Sequence, residues 1–245
     1  MSTPLPMWWP VSNNFGDLIG KYVAEKITGR RVMYTDPTAD YPYYVVGGSV
    51  LNHVNAHAIT WGCGLGTITD GVNPSCRIAA VRGPITRARV LSTGRECPAV
   101  YGDPGMLLPR FYDPKGKAKR AYGLVAHYAD QYRAFDRYRD FIDVFQPIEQ
   151  VVDEICSCEM IYSTSLHGII VAHAYGIPAT WIKISDSVGG DGTKLRDYFA
   201  SVNWEFSYGH PIDLREQKEL PSPSKAAPDL RVYADNFMRA CPLPQ

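Results

Sequence analysis

The 245-residue chain has no excess of either charge, since 25 lysines and arginines stand against 25 aspartates and glutamates. A balanced surface supplies no global basic field for nucleic acid or an anionic bilayer, so any anion site must be local. Long apolar runs are missing as well. Nothing approaches the ~20 residues needed to span a bilayer, and Met1 to Pro10 has neither the basic start nor the apolar centre of a secretion signal. A cytoplasmic location is the resulting expectation. Metal-site spacing is also lacking: Cys63, Cys76, Cys97, Cys156, Cys158 and Cys241 are scattered, and the closest pair, Cys156 and Cys158, has one residue between them. Reduced, mostly buried thiols and no metal site are expected. There is no P-loop, and neither "GGSVL" nor "GCGLG" is a dinucleotide fingerprint, so nucleotide hydrolysis has no support. No repeat of solenoid period occurs.

What the chain does have is 45% hydrophobic residues, enough to bury the core of one large or two modest domains. Short β-branched or aromatic runs alternate with amphipathic stretches. "PLPMWW", "RRVMYTD", "YYVVGG", "AITWGCG" and "CRIAAVRG" read as strands, mostly apolar throughout, as strands covered on both faces are. "DLIGKYVAEKITG" places Leu18, Ile19, Tyr22, Val23 and Ile27 on one helical face, and "PITRARVLSTG" is a helix opened by proline. "PAVYGDPG" reads as a further strand and turn. After a charged, Pro/Gly-punctuated linker at residues 110–121 the alternation restarts, with "YGLVAHY", "IDVFQP", "MIYST" and "PATWIKI" as strands between helical stretches. Two parallel-sheet halves facing each other follow, at residues 1–115 and 116–215. A Pro/Ser-rich loop and a last helix, within residues 216–245, are expected to cross back to the first half.

Open parallel sheets bind ligands at the carboxyl ends of their strands, and the polar residues there are the candidates. In "SNNFGDLIG", Asn13, Asn14 and Gly16 can form an anion- or sugar-facing turn, with Asp17 either a general base or a helix cap. Arg82, at a strand end beside a helix start, can hold a carboxylate or phosphate bidentately, or pair with a neighbouring aspartate. Asp103 in "YGDPGMLLP" is a strand-end acid or a turn former. His127 and His167 end equivalent strands of the second half, which favours a shared site over two structural histidines. His173 is expected to be structural. "SDSVGGDGTKLRDYF" carries Asp186, Asp191, Lys194, Arg196 and Asp197, and reads either as a lid bringing Lys194 to an anion or as a solvated loop.

Taken in order, "NNFGD", "GGSVL", "VRGPITR", "YGDPGMLLP", "LVAHY", "STSLHGIIVAHAYGIPA" and "GTKLRDYF" resemble the polysaccharide pyruvyl transferase family, from about residue 8 to residue 202. The match is closest to the bacterial exopolysaccharide ketal-pyruvate transferases of the succinoglycan type. The resemblance implies two Rossmann-like halves, similar to a compact GT-B glycosyltransferase, with the donor between them. It implies transfer of the carboxyethylidene group of phosphoenolpyruvate onto two hydroxyls of one sugar, with no cofactor beyond that donor. The family's Leu-His-Gly motif matches Leu166, His167 and Gly168, and its arginine after the middle strand matches Arg82. Some members carry arginine directly before that motif, where this chain has Ser165. Donor binding is then expected from Thr164, Ser165, backbone amides, Arg82 or Lys194.

On this reading His167 is the acid that protonates the donor and Asp17 the base for the attacking hydroxyl. His127 assists departure of phosphate. Arg82, Asn14, His127, Ser165, Leu166, Gly168, Lys194 and Asp103 line the substrate site. A lipid-linked oligosaccharide acceptor implies transient peripheral contact with the inner face of the membrane, through Trp8 or Trp204 if these are exposed instead of core residues. The rival readings are a nucleotide-sugar glycosyltransferase on the same architecture, and a carbohydrate- or metabolite-binding relative without turnover.

Overall fold

The computed structural model describes residues 3–10, 13–73, 75–116, 120–203, 209–215, 220 and 226–244. Its first half is a fully parallel sheet of β1 (Leu5–Met7), β2 (Val32–Tyr34), β3 (Tyr43–Val46), β4 (Ala58–Cys63) and β5 (Arg77–Val81). The strand order is β2-β1-β3-β4-β5. The second half repeats the form with β6 (Gly123–Val125), β7 (Phe141–Ile142), β8 (Ile161–Ser163), β9 (Ala179–Lys183) and β10 (Ile212–Asp213). These lie in the order β10-β9-β8-β6-β7. In each sheet the first strand of the chain sits between the second and the third, so both halves share one doubly wound topology. The order in which strands are added reverses between β1 and β3 in one sheet and between β6 and β8 in the other. Those are the points where such sheets open a crevice for ligands.

The helices are α1 (Phe15–Thr28), α2 (Pro84–Leu91), α3 (Gln131–Arg137), α4 (Ile148–Cys156), α5 (Leu166–Ala174), α6 (Thr193–Ser201) and α7 (Arg231–Arg239). On α1 the buried line is Phe15, Ile19 and Val23 with Gly16, Gly20 and Ala24, while Leu18, Tyr22 and Ile27 are only half-buried flanks. The small residues select that side: a Cβ on Gly20 would fall 2.1 Å from the Val46 carbonyl oxygen, so the helix lies on β3 there. "PAVYGDPG" is not a strand. It makes one bridge, Val81 to Tyr101, and then enters a 3-10 helix at Pro104–Arg110. Pro104 suits a first helical position, and the Asp103 carboxylate accepts the Gly105 amide at 2.9 Å.

One apolar cluster runs through the interior between the sheets. It joins Phe15, Ile19 and Val23 of α1, Met106 to Leu108 of the 3-10 helix and Ile169 to Val171 of α5. Each sheet carries a separate cluster on its outer face. Trp8, 6% exposed, belongs to the outer cluster of the first sheet, and Trp204 lies outside the described residues. Of the stretch read as a linker, Tyr112 and the Lys115 amide both bond Asp153 of α4 at 2.8 Å, and residues 117–119 lie outside the described residues, as do 221–225 of the Pro/Ser-rich loop. The last helix, α7, packs on the first half. Phe237 stacks on Trp61 at 4.2 Å, and Gly102 makes room for its ring. Among the described residues no helix is long and apolar enough to cross a membrane.

Candidate active site

The site is built where the two reversal points meet. In the second half β8 ends at Ser163, whose hydroxyl lies 2.7 Å from the Val125 carbonyl and accepts the Ser165 amide at 3.0 Å, drawing the chain into α5. Gly168 lets α5 sit tight on that turn, because a Cβ there would fall 2.4 Å from Ser163 Oγ. Ser165 is the N-cap of α5 without a side-chain cap bond. Among the described residues the amides of Leu166, His167 and Gly168 have no protein acceptor, which leaves a helix start able to receive an anion. Leu166 itself points into the shared core and offers a ligand only its amide.

The His167 ring is enclosed between the halves. Its Nε2 lies 3.5 Å from Asp103 Oδ2, and its Nδ1 lies over Gly16, where a Cβ would come within 2.1 Å. Asp103 is fully buried and faces His167. Burial alone would raise its carboxyl, yet His167, Arg82 and the Gly105 amide together hold it below the ordinary value. It therefore stays ionised opposite the imidazole.

Arg82 is fully buried as well, so it does not grip an anion in the open. Its Nη1 donates to the Leu65 carbonyl at 3.2 Å and its Nη2 to Ser49 Oγ at 2.9 Å, across Gly64, whose Cβ would fall 2.4 Å from Nη1. Its Nε is buried with no acceptor, and no carboxylate lies within ion-pair distance among the described residues. The charge acts through its field. Burial, together with Arg82, lowers the Lys194 ammonium to about 8, with Asp17 opposing.

The helix start beside Arg82 is already occupied. Asp197, reaching across from α6, accepts the amides of Ile85 (2.8 Å) and Thr86 (3.1 Å) and the Thr86 hydroxyl (2.6 Å). A substrate anion expected at the start of α2 would have to displace this carboxylate. Sequence reading had no signal for that role, since the bonded residues lie more than 110 positions apart. Ser49, which follows the glycine pair at the end of β3, was likewise not among the expected site residues.

His127 follows β6, and burial with Lys194 and His167 nearby pushes it down to about 3. Its Nδ1 accepts the Ala129 amide at 3.3 Å, so the neutral ring carries its proton on Nε2 and acts only as a neutral donor. Asp17 accepts Asn14 Nδ2 at 2.9 Å at the start of α1, and its charge reaches Lys194. The structure thus brings His167, Asp103, Arg82, Lys194, His127 and Asp17 into one electrostatic cluster between the halves, with Ser165 and Gly168 shaping its floor. His173 is buried elsewhere against Tyr198 Oη at 2.9 Å. The loop after β9 is tied down: Asp191 accepts the Ile68 amide at 3.0 Å, Arg196 donates to the Asp191 carbonyl, and Asp186 pairs with Lys183 and Arg215. The six cysteines are free thiols, and no group of three or more metal-ligating side chains occurs among the described residues.

The profile of the polysaccharide pyruvyl transferase family matches residues 28–186, a span that includes Arg82, Asp103, His127 and His167. An uncharacterized protein of Acanthamoeba polyphaga mimivirus is 31% identical over 195 residues, covering 74% of this chain and 66% of that one. The succinoglycan biosynthesis protein ExoV of Rhizobium meliloti is 28% identical over 202 residues, covering 75% of this chain and 60% of ExoV. The chain thus spans about two thirds or less of the length of these relatives, one of which is viral, so the likeness is not confined to bacteria. A functionally uncharacterized Klebsiella pneumoniae protein of known crystal structure superposes with a TM-score of 0.53 at 10% identity, over 86% of this chain and 92% of that one. At that identity the likeness is one of fold.

Proposed function

The chain belongs to the polysaccharide pyruvyl transferase family, and from that premise we propose that it moves the carboxyethylidene group of phosphoenolpyruvate onto two hydroxyls of one sugar of a glycan precursor, releasing phosphate. The observation that carries this reading is the His167–Asp103 pair, enclosed between the halves beside an uncapped helix start and Lys194.

The donor is an enol phosphate that carries two anionic groups, a carboxylate and a phosphate. The free amides at the start of α5 and the Lys194 ammonium suit its phosphate and carboxylate, and take over the work of the arginine that Ser165 replaces. Arg82 adds buried positive charge behind them. Asp103, ionised 3.5 Å from Nε2, orients the His167 ring and offsets positive charge on it as the imidazole passes a proton to the donor. Protonation of the donor's C3 makes C2 electrophilic, and the first sugar hydroxyl adds there while Asp17 takes its proton. Phosphate then leaves, with His127 donating a hydrogen bond, and the second hydroxyl closes the ketal on C2. Of the two hydroxyl protons, one is balanced by the new C–H bond and the other leaves with phosphate.

A lipid-linked oligosaccharide as the acceptor, met at the inner face of the membrane, is part of the same proposal. The test is phosphate release from phosphoenolpyruvate across a panel of glycosides, with NMR detection of a new ketal methyl signal on the sugar. Consumption of a nucleotide sugar, with phosphoenolpyruvate untouched, would replace this reading with glycosyl transfer.

A further inference from the structure

A cavity of about 410 Å³ opens beside the cluster, between the ends of β9 and β10, the loop after β9 and the start of α6. Lys194 and Thr164 form part of its wall. Both also touch the catalytic cluster: Thr164 Oγ1 accepts the His127 amide at 2.8 Å, and Lys194 lies within electrostatic reach of His127. The cavity therefore adjoins the site where the donor is placed. Its volume is in the range of small-ligand pockets, roughly 300–1,000 Å³.

Asp130 lines this cavity and is 1% exposed. One carboxylate oxygen receives the Ser185 hydroxyl, and the other, Oδ2, is buried with no hydrogen-bond partner among the described residues. An unmet buried acceptor of this kind costs free energy until a donor arrives. The Asp130 amide bonds the His127 carbonyl at 2.7 Å, so the carboxylate is fixed in the same turn as the candidate-site histidine.

The surroundings select the chemistry of that donor. Lys183 is paired with Asp186, the Arg196 guanidinium is held by the Asp191 carbonyl, and Asp191 accepts the Thr193 amide at the start of α6. Among the described residues Lys194 is the cation left over, in the part of the wall shared with the donor cluster; at the Asp130 end, where Lys183 and Arg196 are engaged and an unmet carboxylate stands in the wall, a phosphate or diphosphate is disfavoured. A neutral group rich in hydroxyls fits: it offers O–H donors to Asp130, and the half-buried Trp181 in the wall offers an apolar face to a sugar ring.

We propose that this cavity is the acceptor subsite, in which Asp130 Oδ2 receives hydroxyls of a glycosyl residue and Trp181 packs on its ring. The proposal rests on the pyruvyl-transfer reading for the purpose of the bound sugar, but its occupancy is tested apart from turnover. Saturation-transfer NMR with the methyl glycosides of glucose, galactose and mannose supplies the probe, alongside calorimetric titration of phosphoenolpyruvate. For the wild-type protein, saturation of at least one glycoside is expected, and its loss or a tenfold weakening in both Asp130→Asn and Trp181→Leu, with folding checked by thermal melts. Asp130→Asn keeps the shape of the side chain, so a variant that melts like wild type reports on the acceptor oxygen itself. No glycoside signal in the wild type, unaltered saturation in the two folded variants, or displacement of the glycoside by uridine diphosphate would overturn the subsite. Glycoside binding that depends on Asp130, in a protein that binds no phosphoenolpyruvate, would leave the subsite standing and remove the pyruvyl-transfer reading instead.

Discussion

Gly16 at the start of α1 lies against the imidazole of His167 at the start of α5, so closely that a Cβ on residue 16 would stand 2.1 Å from Nδ1. The contact joins the reversal point of one sheet to that of the other, and it explains a glycine inside the first turn of a helix, where alanine is the better helix former by about 1 kcal/mol. Gly16→Ala is expected to keep or slightly raise the intrinsic preference for α1 while driving the ring off its position. Phosphate release is predicted to fall tenfold or more, with a melting temperature within a few degrees of wild type. A variant with undiminished turnover would show that the ring position does not matter.

Asp103→Asn keeps the shape beside His167 and removes the charge. General acid–base steps contribute about 10²–10⁴-fold, so a loss of order 10² in kcat is expected, with binding of phosphoenolpyruvate less affected. The variant also has a signature in stability. The native carboxyl is held below its ordinary value, so near pH 4 the unfolded chain binds the extra proton, and stability rises with pH through that range. Thermal melts of Asp103→Asn should therefore show a flatter acid limb than wild type, and identical limbs would contradict the assignment.

His127 gives a second pH dependence. The native ring is pushed down to about 3 while the unfolded ring titrates near 6.5. Between those values the unfolded state alone takes up the proton, so the contribution to stability is complete above about pH 6.5 and is lost progressively as pH falls toward 3. His127→Gln, followed by melts between pH 7 and 4, should lose less stability on acidification than wild type does.

The doubly wound halves were legible because fully covered parallel strands read as apolar runs, and "AITWGCG" and "MIYST" are such runs. Helix faces were less so: Gly16, Gly20 and Ala24 select the buried side of α1 through clearance, which a hydrophobic pattern does not encode. "PAVYGDPG" failed as a strand because Asp103 and Pro104 begin a 3-10 turn. At the site, strand ends marked His127 and His167 as positions. That Arg82 is buried, and that Asp197 fills the helix start beside it, depends on contacts between distant segments that no local pattern carries.

Asp197 pins the halves to one another through α2. Its removal leaves the amides of Ile85 and Thr86 unmet in a buried place, at a cost of about 2 kcal/mol. Asp197→Ala is accordingly expected to lower the melting temperature by roughly 4–8 °C, and an unchanged melt would mean that water or another group replaces the carboxylate at no cost.

The central claim is that an anionic donor binds between the halves, at the start of α5 and Lys194. The most direct measurement is calorimetric titration of phosphoenolpyruvate into the wild-type protein and into Lys194→Met, at pH 7 and at pH 9. Because the ammonium titrates at about 8, its charge is present at the lower pH and largely lost at the higher. The account predicts saturable binding to wild type at pH 7, weaker at pH 9, and at least tenfold weaker in Lys194→Met at pH 7. Absence of binding to wild type, or binding that neither the variant nor the pH alters, would contradict it.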